Sequence, residues 1–430
     1  MSAHAKIQSP MLRRLESALS DRGPSALATF WAGVSRTGTP MVERPRNAPR
    51  ERLITFVWRG RPGTKRVTLR SLVAHQGGDD ELVRLRRSDV WYRTYTVPHD
   101  LRETYLFAVD DPPGRTPDDD KEYNVWAHRW KRDPFNPKTF HFTPDPKFRK
   151  DPMSGYDLTS SLIELEGAPH HRETLRRGKI AQGTLSLHHF QSRHLHDERR
   201  IWLYLPAGFR PDLRNVHLAI FFDGFWYAKP FPTTTILENL AAEKRIVPVV
   251  GVFVDSRAGT KERMRDLCRR SPAFGRFLVQ ELLPWVERTV GIHPKANRVA
   301  LIGLSCGGLA ALHWAIKYPN RFRLVLSQSG WFLARDPLRH EPGAFLEELM
   351  QTPTLPLRIY MEAGTDEKHY GVQAGTTLLG INRHLRDVLR LKGYDLMYRE
   401  FSGGHGDVSW QQTLVDGLEH LFSVRGSVGG

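Results

Sequence analysis

Apolar and polar positions follow two different rhythms along this chain. Between residues 50 and 110, short runs with strand-like alternation are divided by turn residues: 52–59, 65–70, 82–85, 90–96 and 103–108, with Gly60 and Gly63 turning between the first two. Short strands with frequent turns predict a β-sandwich. Ahead of them, residues 11–33 alternate charged and apolar side chains as a surface helix does. Residues 110–121 are acidic and Pro-rich, which predicts a loop, and the proline-punctuated stretch 133–152 predicts an irregular connection.

From about residue 178 the rhythm changes. Strand candidates at 180–191 and 199–205 lead into alternating strands and helices. The runs 217–222 and 247–254 are almost wholly apolar, as in strands buried on both faces. Residues 274–290 place Phe277, Leu278, Leu282, Val286 and Val290 on one side of a helix. Further strands are predicted at 324–327, 357–361 and 395–401. A last amphipathic helix carries Trp410, Leu414, Leu418 and Leu421. Strands separated by helices imply a largely parallel sheet, hence an α/β class. Such sheets bind ligands at the carboxyl ends of their strands. The predicted division is 1–155 for the sandwich, with its leading helix and Pro-rich connection, and 156–425 for the α/β domain.

The strongest chemical signal sits inside the second rhythm. Val299-Ala-Leu-Ile-Gly-Leu-Ser305-Cys-Gly-Gly308 reads as an apolar strand turning sharply into a helix over 309–318. Gly-x-Ser-x-Gly in that setting puts a serine hydroxyl on a tight elbow, as in α/β-hydrolases. Side chains at Gly303 and Gly307 would collide with the turn or the next strand. The Cys306 N–H begins the helix, where an oxyanion is stabilised. The Phe225 N–H, after the apolar run 217–222, is the expected second donor, and Asp223 either braces that loop by hydrogen bonds or is an ordinary turn aspartate.

A serine nucleophile needs a base. His188, His189, His194 and His196 lie in an Arg-rich polar stretch without metal-ligand spacing and are expected to be solvated. His405 differs, because Ser402-Gly-Gly-His405-Gly follows the last predicted strand, where the base belongs in the order Ser, acid, His. The acid should follow strand 357–361. Glu362, Asp366 and Glu367 compete. Glu362 is still at the strand edge, while Asp366 and Glu367 lie beyond the glycine turn, and Glu367 is favoured over Asp366.

Composition narrows the partners. The 430 residues are 40% hydrophobic and 26% charged, with a formal charge of +16. No segment is apolar enough to span a membrane. The basic residues are scattered, and no zinc-finger or RNA-binding signature is present, so neither membrane nor nucleic acid is an expected partner. The first ten residues lack a signal-peptide core, so the expected location is the cytoplasm. Two cysteines, Cys268 and Cys306, promise no disulfide framework, and Cys306 reads as a small elbow residue. Residues 423–430 are small and polar and are expected to be disordered.

Taken together, the motifs resemble those of the enterochelin esterases. The likeness runs over most of residues 25–422. It rests on Trp58-Arg59, Ser88-Asp-Val-Trp-Tyr-Arg-Thr-Tyr-Thr96, Asp133-Pro-Phe-Asn-Pro137, Asp223-Gly224, Arg263-Met-Arg-Asp-Leu267, Glu281-Leu-Leu-Pro284, the serine elbow, Glu362-Ala-Gly364 and Gly403-Gly-His405. The resemblance implies an N-terminal immunoglobulin-like sandwich and a C-terminal α/β-hydrolase domain. It implies Ser305 as nucleophile, His405 as base and an acid nearest Glu367. It places Arg265 toward the substrate, with Arg270, Trp226 and Trp91 as further candidates for the cleft. Three departures stand out. Gly406 intervenes before Asp407, Leu304 and Cys306 replace the common Gln and Phe, and Arg269 and Arg270 stand where asparagine is usual.

The implied substrate is an anionic, iron-loaded catecholate siderophore, a cyclic triester of serines carrying catechols. No metal or organic cofactor is expected to serve catalysis, since iron belongs to the substrate. Two rivals remain on sequence grounds. One is an esterase for another aromatic or siderophore ester. The other is a non-catalytic binder of anions or nucleic acid on a hydrolase scaffold.

Overall fold

The computed structural model describes residues 7–71, 73, 79–111, 129–142, 158–213, 216–256, 261–333, 344–369 and 375–424. Contacts divide them into two units. The first holds the described residues up to 142, those of 158–169, and the loop Ser402–Val408; the second holds those of His170–Phe401 and 409–424.

The first unit opens with two helices, Pro10–Arg22 and Pro24–Thr37, where the sequence suggested one surface helix. Gly23, at φ 54° and followed by Pro24, interrupts the run. Neither helix is merely superficial. Leu12, Leu15, Trp31 and Val34 are buried with Met41, Val57, Leu85 and Val90. The charged positions between them disguise this apolar stripe.

Among the described residues nine strands follow in this unit: β1 (Met41–Glu43), β2 (Glu51–Arg59), β3 (Val67–Arg70), β4 (Asp79–Glu81), β5 (Val83–Arg84), β6 (Val90–Pro98), β7 (Arg102–Val109), β8 (Thr139–Phe142) and β9 (Leu158–Glu164). They form sheets of order β1-β2-β6-β5 and β4-β3-β7-β9-β8. Ile54, Phe56, Tyr95 and Val97 from one sheet share a core with Val67, Leu69, Tyr105, Phe107 and Ile163 from the other. That shared core makes the predicted sandwich. The expected strand 82–85 is realised as the short β5, and β4, which was not anticipated, precedes it and pairs into the opposite sheet. β8 and β9 were not anticipated. In β9 the inward Ser161 hydroxyl accepts the Asp133 N–H at 2.9 Å, so a buried serine interrupts the apolar pattern. Most of the predicted loop 110–121, and residues 143–152 of the predicted connection, lie outside the described residues.

The second unit is built on β10 (Thr184–Ser192), β11 (Asp197–Leu205), β12 (His217–Phe222), β13 (Val249–Val254), β14 (Val299–Leu304), β15 (Leu324–Gln328), β16 (Arg358–Gly364) and β17 (Asp395–Phe401). Their order is β10-β11-β13-β12-β14-β15-β16-β17. β10 and β11 run antiparallel to their neighbours, and the other six strands are parallel. This is the α/β-hydrolase sheet, as expected. Every residue of β12, β13 and β14 is buried, as their apolar runs require. The predicted helix 274–290 is realised as Pro272–Arg276, a π-helical Phe277–Leu282 and Leu283–Val290. Its five predicted apolar residues are all buried. Among the described residues no helix is long and apolar enough to cross a membrane. Ser423, in the expected disordered tail, bridges Ile246, and residues 425–430 lie outside the described residues.

Candidate active site

Three strands of the parallel sheet end alike. β12, β14 and β15 are each followed at once by a non-glycine residue with positive φ: Asp223 at 54°, Ser305 at 53° and Ser329 at 48°. β14 lies between the other two in the sheet. Left-handed backbone at three such residues concentrates strain at the carboxyl end of the sheet centre, a habit of functional sites. Ser305 is held on all sides. Its N–H donates to the Gln328 carbonyl at 2.8 Å, and its carbonyl accepts from Trp331 at 2.8 Å and Leu309 at 3.2 Å. A Cβ at Gly303 would lie 2.3 Å from the Gly307 carbonyl carbon, so the elbow closes only with glycine there. At Gly307 the nearest neighbour of a Cβ is Asp223 Oδ2, at 3.2 Å. Ser305 caps the helix Cys306–Lys317, whose first N–H groups give the end of the elbow positive character.

The expectation of unpaired cysteines is corrected. Cys306 is disulfide-bonded to Cys268, with Cα atoms 4.9 Å apart. Cys268 ends the π-helical turn Met264–Cys268, which packs against the elbow helix and also carries Arg265. Residues 38 apart give no local signal of pairing; the approach is made by the sheet, not by the sequence spacing.

Asp223 braces its loop. Ser256 Oγ donates to it, and Arg263 donates through Nε and Nη2, each at 2.8 Å. The carboxylate is buried, so the two-pronged guanidinium supplies its neutralising charge. Gly224 follows because a Cβ there would meet the Phe253 carbonyl carbon at 2.3 Å. Phe225 and Trp226 then form part of the buried turn Gly224–Ala228. The sequence reading gave Arg263 only as the first residue of a family motif, with no partner; Asp223 lies 40 residues earlier.

The three candidate acids separate. Glu362 is wholly buried within β16. It accepts from Gln328 Nε2 at 2.7 Å, Tyr360 Oη at 3.0 Å and Thr413 Oγ1 at 2.5 Å. Burial is the largest influence on its carboxyl, and the pKa is raised to about 7 despite those hydrogen bonds. Gln328 also accepts from Tyr227 Oη at 2.9 Å, so this network joins the Phe225 turn to β15, β16 and the helix Asp407–Phe422. Asp366 and Glu367 instead lie on the turn Thr365–His369 after β16. Glu367 is fully buried. Burial, reinforced by Glu367, raises the Asp366 carboxyl to about 6, against the opposing charge of Lys368.

Of the proposed binding residues, Arg265 is 41% exposed but grips Asp266 through Nε at 2.6 Å and Nη2 at 3.1 Å. Arg270 is buried, with its guanidinium 5.8 Å from the Phe345 ring centre. Its charge, after burial itself, helps depress the buried His313 to about 3. Trp226 is buried in the Phe225 turn. Trp91 belongs to β6 in the first unit, where its ring covers Gly60. His405 lies on the loop Ser402–Val408, which groups with the first unit by its contacts. His189 and His194 bond Glu198 and Gln280 at exposed positions, and His188 lies edge-on to Trp285. A cleft of about 560 Å³ opens at the other end of the sheet, lined by His217, Leu324, Arg358 and Asp395 at strand starts, away from Ser305.

Comparison with known proteins identifies the family. The putative esterase family matches residues 192–421, and the N-terminal domain of enterochelin esterase matches residues 53–174. An iron(III) enterobactin esterase of Dickeya dadantii is 28% identical, over 92% of each chain. An iron(III) salmochelin esterase of Escherichia coli O6:H1 is 26% identical, over 91% of this chain and 93% of its own. The crystal structure of an enterobactin esterase from Shigella flexneri, obtained in the presence of enterobactin, superposes with a TM-score of 0.68 at 25% identity, over 91% of this chain and 97% of that one. With the sandwich, the hydrolase sheet and both family matches in one chain, this protein belongs to the enterochelin esterases and is a carboxylic ester hydrolase.

Proposed function

We propose that this protein is a serine esterase that opens the trilactone of ferric enterobactin, or of a closely related catecholate siderophore, and so releases iron in the cytoplasm. The observation that carries the reading is Ser305 at φ 53°, on an elbow between a buried parallel strand and a helix N-terminus. The substrate class comes from the relatives, which are named for enterobactin and salmochelin.

In this reading the Ser305 hydroxyl attacks a lactone carbonyl while His405 takes its proton. The tetrahedral oxyanion is held by the N–H groups of Phe225 and Cys306. Collapse expels a serine alkoxide, which His405 protonates. Water, deprotonated by His405, then attacks the acyl-enzyme and restores Ser305. Glu367 is the acid that orients the imidazole, being wholly buried after β16 while Glu362 is committed to Gln328, Tyr360 and Thr413. Arg265 remains partly exposed to meet the anionic substrate. Arg270, Trp226 and Trp91 are lesser candidates, since two are buried and one sits on the sandwich.

Product analysis on a panel tests the substrate class. Ferric enterobactin, a glucosylated analogue, a bacillibactin-type trilactone and simple aryl esters are offered in parallel. Release of dihydroxybenzoylserine from a trilactone supports the reading. Turnover of aryl esters with none of the trilactones would replace it by a general aromatic esterase.

A further inference from the structure

The loop that presents His405 contains two adjacent glycines and so has little rigidity of its own. Something must hold it if His405 acts as a base. The first unit supplies three ties, all from the start of β7 and the turn before it. Ser402 Oγ donates to Asp100 Oδ1 at 2.6 Å. The Arg102 N–H donates to the Ser402 carbonyl at 3.2 Å. The Gly404 N–H, one residue before His405, donates to Glu103 Oε2 at 2.9 Å.

Glu103 is unusual among these. It is 2% exposed, on a strand paired through Ile163 of β9. A carboxylate in such a place is costly unless hydrogen bonds replace its water. One oxygen accepts its neighbour's N–H, that of Thr104, at 2.8 Å, and the other accepts from Gly404. The side chain therefore spans from its own rigid strand to the glycine pair. Gly406, the residue that departs from the family pattern, lies against the same carboxylate: a Cβ there would be 3.6 Å from Oε1. Its N–H closes back on the Gly404 carbonyl at 3.0 Å.

We propose that Glu103 is a positioning residue for the loop that carries His405. The idea rests on the reading of His405 as the base. Glu103 touches no substrate in this account. Its carboxylate limits the conformations of Gly403 and Gly404, and through them the placement of the imidazole.

The test compares wild type, Glu103→Gln, Glu103→Ala, His405→Ala and the double variant Glu103→Ala/His405→Ala, all in the full chain. Hydrolysis of 4-nitrophenyl butyrate and the rate of Ser305 labelling by a fluorophosphonate are both followed. Gln retains one acceptor oxygen but turns a donor toward the second N–H, so kcat should fall about tenfold. Ala should lower it about a hundredfold, as small displacements of a catalytic group do. KM should stay within about twofold, and the labelling rate should fall in parallel. The double variant should be no slower than His405→Ala, because both changes remove one function. A folded Glu103→Gln with wild-type kcat overturns the proposal, as does a raised KM with kcat intact or an additive loss in the double variant. If Glu103→Ala does not fold, the isosteric Gln variant decides. Wild-type activity in His405→Ala is a different outcome: it removes the base assignment and this role with it.

Discussion

Cys306 stands directly after Ser305 and is joined through its sulfur to Cys268. One covalent bond thus ties the proposed oxyanion donor to the turn that carries Arg265. Denatured, unreduced protein should show no thiol reactive toward Ellman's reagent, and two after a dithiol is added. The bond closes a 38-residue separation, for which loop entropy gives up to about 4 kcal/mol of stability. A Cys268→Ser/Cys306→Ser variant should melt at correspondingly lower temperature. Two reactive thiols in protein purified without reductant would contradict the bond.

Arg263 is the next test. Removing it leaves the Asp223 carboxylate buried without its opposite charge. Arg263→Leu should lower stability by about 3 kcal/mol and loosen the Phe225 turn. The expected kinetic result is a fall in kcat of ten- to a hundredfold with little change in KM. Denaturant melts and steady-state rates with an aryl ester measure both. An unchanged kcat would separate Asp223 from the oxyanion loop.

Gly303 offers a steric test that involves no charge. A methyl group there would overlap the backbone of Gly307, which cannot swing away as a long side chain could. Gly303→Ala should yield insoluble protein, or folded protein with kcat lowered on the order of a hundredfold. Full activity in Gly303→Ala would mean the elbow is not as tight as described.

The pH dependence of stability should report Glu362. Its carboxyl is raised from 4.5 to about 7 in the fold, mainly by burial. A raised acid binds more protons folded than unfolded, so its favourable contribution is complete below pH 4.5 and is lost as pH rises toward 7. The loss is on the order of 3 kcal/mol. Glu362→Gln should therefore gain stability relative to wild type as pH goes from 5 to 7.5, in melts at each pH. A pH-independent difference would place the proton elsewhere.

What the sequence revealed, and what it hid, follows from range. The elbow could be read because its glycines, strand and helix are contiguous. The buried strands β12 to β14 were visible as apolar runs, and β16 and β17 were placed to within a few residues. Contacts between distant residues were not readable. Cys268–Cys306, Arg263–Asp223 and Glu103–Gly404 join residues 38, 40 and 301 apart, and no local pattern encodes them. Polar residues turned inward hid other features. Ser161 masked β9, and nothing local to Glu362 announced that Gln328, Tyr360 and Thr413 would surround it. The first leading helix was misread because Arg13, Arg14 and Glu16 interleave with the buried Leu12 and Leu15.

The central claim is that the hydroxyl of residue 305 performs ester cleavage on a siderophore trilactone. Purified wild type and Ser305→Ala are incubated with ferric enterobactin, and linear and monomeric dihydroxybenzoylserine are quantified by chromatography with mass detection. Wild type should convert the trilactone to these products, and Ser305→Ala, though folded, should be slower by several orders of magnitude. Comparable product formation by the two proteins would contradict the account.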